Sequence, residues 1–151
     1  MDELYYGDEI AMTGPDEPTA RKDFPGGFPG DKRNAFSKEG RTKEEQELFE
    51  YIRRVTQLRT ELEPLRRGSL VNLHVAEQQY AYARKANSSV VVTVINNDKR
   101  DAKVEFDVTP LRLAEGSVLT DRLGVSKDVR VANGKLNVTL PERLAAIFVR
   151  K

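Results

Sequence analysis

The chain has 151 residues and a mass of 17.1 kDa, room for one ordinary domain or for a small domain plus part of another. Lys+Arg 25 against Asp+Glu 24 leaves a net charge of +1, so no overall field draws it to nucleic acid or to an anionic membrane. The absence of cysteine excludes a disulfide scaffold, a thiol nucleophile and a thiolate metal site, and the single His74 excludes any site built on two histidines; no cofactor or metal is expected.

The start, Met-Asp-Glu-Leu-Tyr-Tyr, has neither the basic nor the apolar stretch of a signal peptide. The apolar stretch Val90 to Ile95 is far too short to span a bilayer, so no membrane partner is expected. Cytoplasm and periplasm remain equally open as compartments. Residues 1–42 hold 6 of the 10 glycines and 4 of the 7 prolines, which forbids a helix and allows a strand only in the first few residues. Tyr5, Tyr6, Phe24, Phe28 and Phe36 also fall here, whereas linkers are normally poor in aromatics. The segment therefore reads as an ordered loop that packs against, or lines, something.

A helix follows over about residues 43–62. Thr42-Lys43-Glu44-Glu45 is a capping box, in which the Thr42 hydroxyl and the Glu45 carboxylate each satisfy the other's backbone amide. Leu48, Phe49, Ile52, Val55 and Leu62 recur at near-helical spacing, Glu50 stands four residues before Arg54, and Pro64 ends the pattern. Beyond Gly68 the period changes to two. Strands are expected at Leu70–Val75, Gln79–Arg84, Ser89–Ile95, Lys103–Val108, Ser117–Asp121, Val129–Val131, Leu136–Thr139 and Ala145–Arg150. Asn133-Gly134 between two alternating runs marks a type I′ hairpin turn. Eight short strands without an intervening helix imply an antiparallel, Greek-key β-sandwich, and the nearly all β-branched Ser89–Ile95 is its expected central strand.

The order of elements is unusual. A strand ending at Tyr5 and Tyr6 would have no parallel neighbour, and a lone strand–helix unit cannot bury both of its faces. Residues 1–66 are therefore read as the last βα unit of a larger barrel and residues 67–151 as a separate β-sandwich, making the chain mainly β with one long helix.

Particular residues support this division through a resemblance. Leu4-Tyr5-Tyr6-Gly7-Asp8-Glu9-Ile10 resembles the end of the eighth barrel strand in the α-amylase family of glycoside hydrolases. Glu17-Pro18-Thr19-Ala20-Arg21 is similar to that family's Asp-Pro-x-x-Arg loop, with Glu17 where Asp is usual. Arg21 through Asp31, with Asn34-Ala35-Phe36, resembles the neopullulanase and cyclomaltodextrinase branch. The region from Gly68 to Lys151, opening on Tyr80-Ala81-Tyr82-Ala83-Arg84, looks like the family's C-terminal domain C. The resemblance implies a retaining glycosidase acting on α-glucans such as starch, maltodextrin, cyclodextrin or pullulan. Retention needs two carboxyl groups about 5–5.5 Å apart. In the family these carboxyls and a third aspartate lie upstream of the matching segment, so no catalytic residue is expected in this chain and the chain alone is expected to be inactive.

Glu17 and Arg21 are the candidate substrate-binding residues. Their pattern fits a surface salt bridge or a pair of sugar contacts, and the resemblance implies the latter, with an α-glucan oligosaccharide as partner. The aromatics of residues 1–42 would stack on sugar or, more commonly, pack against protein, with self-association as a way to cover them. Asp8 and Glu9 read as one anchor of loop amides and one solvent-facing residue, and Asp23 and Asp31 as turn residues. His74 reads as a hydrogen-bonded or exposed strand residue. Arg53, Arg54, Arg59, Arg66 and Arg67, interleaved with glutamates, read as a solvated helix face. A second reading is a free-standing sandwich that binds carbohydrate or protein. Residues 69–151 hold only Tyr80, Tyr82, Phe106 and Phe148 and no Trp, poor material for a stacking surface.

Overall fold

The computed structural model describes residues 4–14 and 21–151. Two compact units, Met1–Thr56 and Gln57–Lys151, divide the chain inside its long helix.

In the first unit, Leu4 and Tyr5 have no regular structure, Tyr6 and Gly7 turn, and a short 3₁₀ turn spans Asp8–Ile10. The strand expected to end at Tyr5 and Tyr6 is thus not formed among the described residues, because an isolated segment has no neighbour to accept its ladder hydrogen bonds. A second 3₁₀ turn spans Lys38–Gly40 and leads into helix α1, Lys43–Glu61. The capping box forms in both directions: the Glu45 N–H donates to Thr42 Oγ1 at 3.2 Å and the Thr42 N–H to Glu45 Oε2 at 2.8 Å. Glu50 pairs with Arg53 at 2.6 Å and accepts from Gln46 as well. Helix α2, Glu63–Arg67, follows with Pro64 in its first turn. The proline does not end the helical region, since its missing N–H is unused at a helix start. Arg66 donates to the carbonyls of Arg59 and Thr60 at the end of α1 and Arg59 to the Leu65 carbonyl in α2, so two of the five arginines bind helix carbonyls.

The second unit contains all eight expected strands: β1 Ser69–Val75, β2 Gln79–Ala86, β3 Ser89–Asn96, β4 Ala102–Asp107, β5 Val118–Asp121, β6 Val129–Arg130, β7 Lys135–Leu140 and β8 Ala145–Arg150. A six-stranded antiparallel sheet runs β1-β2-β3-β8-β5-β6, and β4-β7 form a second sheet. The links β3–β4 and β7–β8 each cross between sheets, so β3 pairs with β8 while β4 pairs with β7, a Greek-key arrangement.

Alternation along the strands builds the core between the sheets. Ala81, Ala83, Val92, Val94, Ala146 and Phe148 face Val104, Phe106, Leu136, Val138 and Leu140 across it. The other face of β3 is covered too: Val91 and Ile147 pack with Leu58, the one fully buried residue of α1, and with half-buried Leu62 and Leu65. Burial on both faces explains why β3 reads as a nearly continuous β-branched run, interrupted in apolarity only by Thr93 between Val90 and Ile95. Buried Asn96 ties the two crossings together. Its amide donates to the carbonyls of Arg100 (2.8 Å) and Pro141 (2.9 Å), and its side-chain oxygen accepts from Asp98 N–H. The Asn133-Gly134 turn has φ of 53° and 71°, as a type I′ turn requires, and closes on reciprocal Ala132–Lys135 hydrogen bonds of 3.0 Å.

Candidate functional site

The candidate site is the loop of the first unit, and its local architecture explains how a segment with no strand holds a shape. At its start, Asp8 accepts from the Tyr5 N–H and Glu9 from the Gly7 N–H, both at 2.8 Å. Both carboxylates therefore anchor amides, instead of one anchoring and one facing solvent, because the 3₁₀ turn replaces the alternation of a strand. Gly7 sits at φ +91°, with Met12 occupying the space a Cβ would need, and Ile10 is buried beneath the turn.

Arg21 is exposed. Glu17, its proposed companion, lies outside the described residues. Beyond Arg21 the loop is cross-braced. Asp31 accepts from the N–H groups of Gly26 at 2.7 Å and Phe28 at 3.0 Å. These amides, that of Phe28 first, hold its carboxyl below the usual aspartate range, as expected for a turn residue. Fully buried Ala35 donates to the Pro25 carbonyl at 2.9 Å. Gly26, at φ +101°, and Gly40 approach Asn34 so closely that a Cβ on either would collide with it.

Two arginines then fasten the loop to α1. Arg33 grips both oxygens of Glu45 at 2.6 and 2.8 Å and also donates to the Gly40 carbonyl. The hydrogen bond from Arg33 is the main reason the Glu45 carboxyl lies below the usual glutamate range. Arg41 donates to the carbonyls of Ala35 (2.8 Å) and Phe36 (3.0 Å) and to Gln46 Oε1, while its guanidinium lies 3.6 Å from the centre of the Phe49 ring. Arg33, Arg41 and Glu45 escaped the sequence reading. Their spacings of 12 and 5 residues carry no periodic signal, and only the capping box marked Glu45 at all.

The loop displays its aromatics. Tyr5, Phe28 and Phe36 are 61%, 58% and 64% exposed. Their ring contacts are pairwise, Tyr5 on Tyr6 at 4.7 Å and Phe36 on half-buried Phe24 at 4.6 Å. In the second unit His74 is half-buried on β1, beside an irregularity in the β1–β2 register. Among the described residues no three His, Asp or Glu side chains gather where they could hold a metal ion. A further residue missed by sequence is Asp121 at the end of β5, nearly buried, whose carboxylate accepts four backbone amides.

No family model matches the chain. Curated relatives and solved structures do. An amylopullulanase from Thermoanaerobacter thermohydrosulfuricus is 29% identical over 99% of this chain, and a cyclomaltodextrinase from Geobacillus thermopakistaniensis is 28% identical over 70% of it. An Anoxybacillus α-amylase superposes over 97% of the chain with a TM-score of 0.74 and 27% identity. The chain resembles a C-terminal part of α-amylase-family glycoside hydrolases. It spans 10% and 16% of the two curated relatives and 28% of the α-amylase. These relatives are enzymes that act on α-glucans, and other α-amylase-family structures with the same fold were crystallised with maltose, maltotriose or acarbose.

Proposed function

We propose that this chain serves as the C-terminal portion of an α-amylase-family glycosidase that acts on α-glucans. On this reading residues 1–66 supply the last βα unit of the catalytic barrel and residues 67–151 act as its stabilising domain C. The observation that carries it is the match of nearly the whole chain, loop and sandwich together, to one stretch of an amylopullulanase. A free-standing binding module would account for the sandwich but not for the braced, aromatic-bearing loop before it.

The loop then forms part of the rim of the substrate cleft, at the barrel end where βα loops collect. Glu17 and Arg21 hydrogen-bond a glucose unit, a carboxylate accepting and a guanidinium donating to neighbouring hydroxyls. The exposed Tyr5, Tyr6, Phe28 and Phe36 are covered in the parent by barrel strands, and in the isolated chain by a second copy. The nucleophile and the acid/base belong to upstream strands.

The test compares the 151-residue chain with the parent enzyme that contains it. The parent is expected to release reducing sugar from starch, pullulan or cyclodextrin, and the chain alone to release none. Turnover by the purified chain would overturn the assignment of the active site to another segment. In the parent, Arg21→Ala should weaken productive binding of a long oligosaccharide by about 1.5–3 kcal/mol, and wild-type kinetics would return Arg21 to a surface role.

A further inference from the structure

We propose that Arg33 is a positioning residue for glucan binding: its two-pronged grip on Glu45, seconded by Arg41, holds the loop that begins at Arg21 in its binding shape before any sugar arrives. This inference rests on the functional reading above and assigns a task to residues that the reading leaves idle.

Between Arg21 and Arg41 the only regular structure is the Lys38–Gly40 turn. Backbone ladders therefore cannot hold this stretch, and a loop that ordered itself only around a ligand would subtract the ordering entropy from affinity. Side chains, helped by turn hydrogen bonds such as that from the Ala35 N–H to the Pro25 carbonyl, supply what a ladder would. From α1, Glu45 holds Arg33 by two hydrogen bonds, and Arg33 holds the Gly40 carbonyl at 3.0 Å. Arg41 holds Ala35 and Phe36 by their carbonyls, Ala35 holds Pro25, and Asp31 holds Gly26 and Phe28. This chain of contacts runs from the first turn of the helix back to within four residues of Arg21.

Arg33 is the keystone that can be removed cleanly. A guanidinium fork matches a carboxylate in a way no other side chain does. The Glu45 side chain is mostly buried and that of Arg33 is 40% exposed, so a smaller residue at position 33 leaves no cavity. The reciprocal Thr42–Glu45 hydrogen bonds do not involve Arg33, so the helix keeps its cap when Arg33 is lost.

The experiment uses the parent enzyme with Arg33→Gln and Arg33→Lys, assayed on maltoheptaose. Arg33→Gln is expected to raise KM about tenfold with kcat within about twofold of wild type. Arg33→Lys, which keeps the charge but loses the fork, should recover part of that loss. In the 151-residue chain, Arg33→Gln should speed hydrogen exchange at the Gly26, Phe28 and Ala35 amides and leave Val91–Val94 unchanged. Faster exchange with unchanged KM would make the grip purely structural and overturn the proposal, as would unchanged exchange or a fall in kcat alone. A parent that hydrolyses no α-glucan refutes the functional reading and this inference together, whereas a parent with normal KM in both variants refutes only the inference.

Discussion

Replacing Asp121 by asparagine tests the most concentrated polar interaction of the sandwich. Asp121 is 8% exposed. One carboxylate oxygen accepts from the N–H groups of Leu123 and Ile147, both at 2.9 Å, and the other from those of Val125 at 2.7 Å and Ser126 at 3.0 Å. The residue thus fastens the loop after β5 and ties it to β8. Asparagine has the same shape, but one of its two heavy atoms becomes a donor. Whichever way the amide turns, two backbone N–H groups lose their acceptor and face another N–H. A hydrogen bond to a charged group is worth about 1.5–3 kcal/mol, so the loss is about 3–6 kcal/mol before the loop relaxes toward water. Relaxation returns part of this, leaving about 3 kcal/mol from a total that is typically 5–15 kcal/mol for a domain. That corresponds to a fall in Tm of roughly 12–24 °C for a domain of this size. Urea unfolding followed by far-ultraviolet circular dichroism reads the change as a shift in midpoint at constant slope. The control is Asp107→Asn, whose carboxylate caps Thr109 in the open, where solvent replaces the lost acceptor and the midpoint should stay close to wild type. An Asp121→Asn protein within about 1 kcal/mol of wild type would refute the view that this carboxylate organises the β5–β8 junction.

Three further outcomes are expected. The folded Asp31 carboxyl is held below its unfolded value, so its contribution to loop stability is complete above the unfolded pKa near 4 and is lost as pH falls through the lower folded value. The Gly26 and Phe28 amide resonances should titrate together with a midpoint below about 3.9, and a midpoint above that would contradict the hydrogen bonds seen here. Gly134→Val should destabilise the sandwich by more than about 1 kcal/mol, because Gly134 has φ of 71° and a Cβ there would lie 2.8 Å from Thr109 Cγ2; unchanged thermal stability would count against the turn. A chain cut to residues 57–151 should be more stable than one cut to 69–151 by about 3–5 kcal/mol, since Leu58, Leu62 and Leu65 cover Val91 and Ile147 at about 1.5–3 kcal/mol per buried leucine. Equal urea midpoints for the two truncations would show that this cover is dispensable.

The readability of the sequence follows the range of the interactions that shape each part. The eight strands were legible because alternation, turn residues and a β-branched run are local signals, and each matches its local environment. Leu58 shows where that logic stops. Its place in the helical stripe is periodic, but its full burial on Val91 and Ile147 depends on partners 33 and 89 residues away, and no local pattern announces them. Asp121 was assigned only as the last residue of a strand; three of the amides that meet it lie within five positions, but the fourth, that of Ile147, is brought to it by the β5–β8 pairing 26 residues away. The loop presents the sharper contrast. Its prolines and glycines ruled out a helix, though not the strand expected at its start, and Asp31 could be recognised as a turn residue because its partners lie within five positions. The Arg33–Glu45 grip could not be found that way, because ion pairing is set by distance in space and the two residues are separated by a 3₁₀ turn and a helix cap. Aromatic exposure depends on partners in the same sense. Tyr5, Phe28 and Phe36 are apolar enough to seek cover, yet cover needs an opposing surface, and among the described residues Tyr5 meets Tyr6 and Phe36 meets Phe24 while all three stay exposed. On the proposed function, a loop this firmly braced and this rich in exposed aromatic surface is organised by its own charged residues for a surface or ligand in the parent enzyme. That is why the decisive measurements on it are made in the parent enzyme, with Arg21 reporting on the sugar and Arg33 on the loop that presents it.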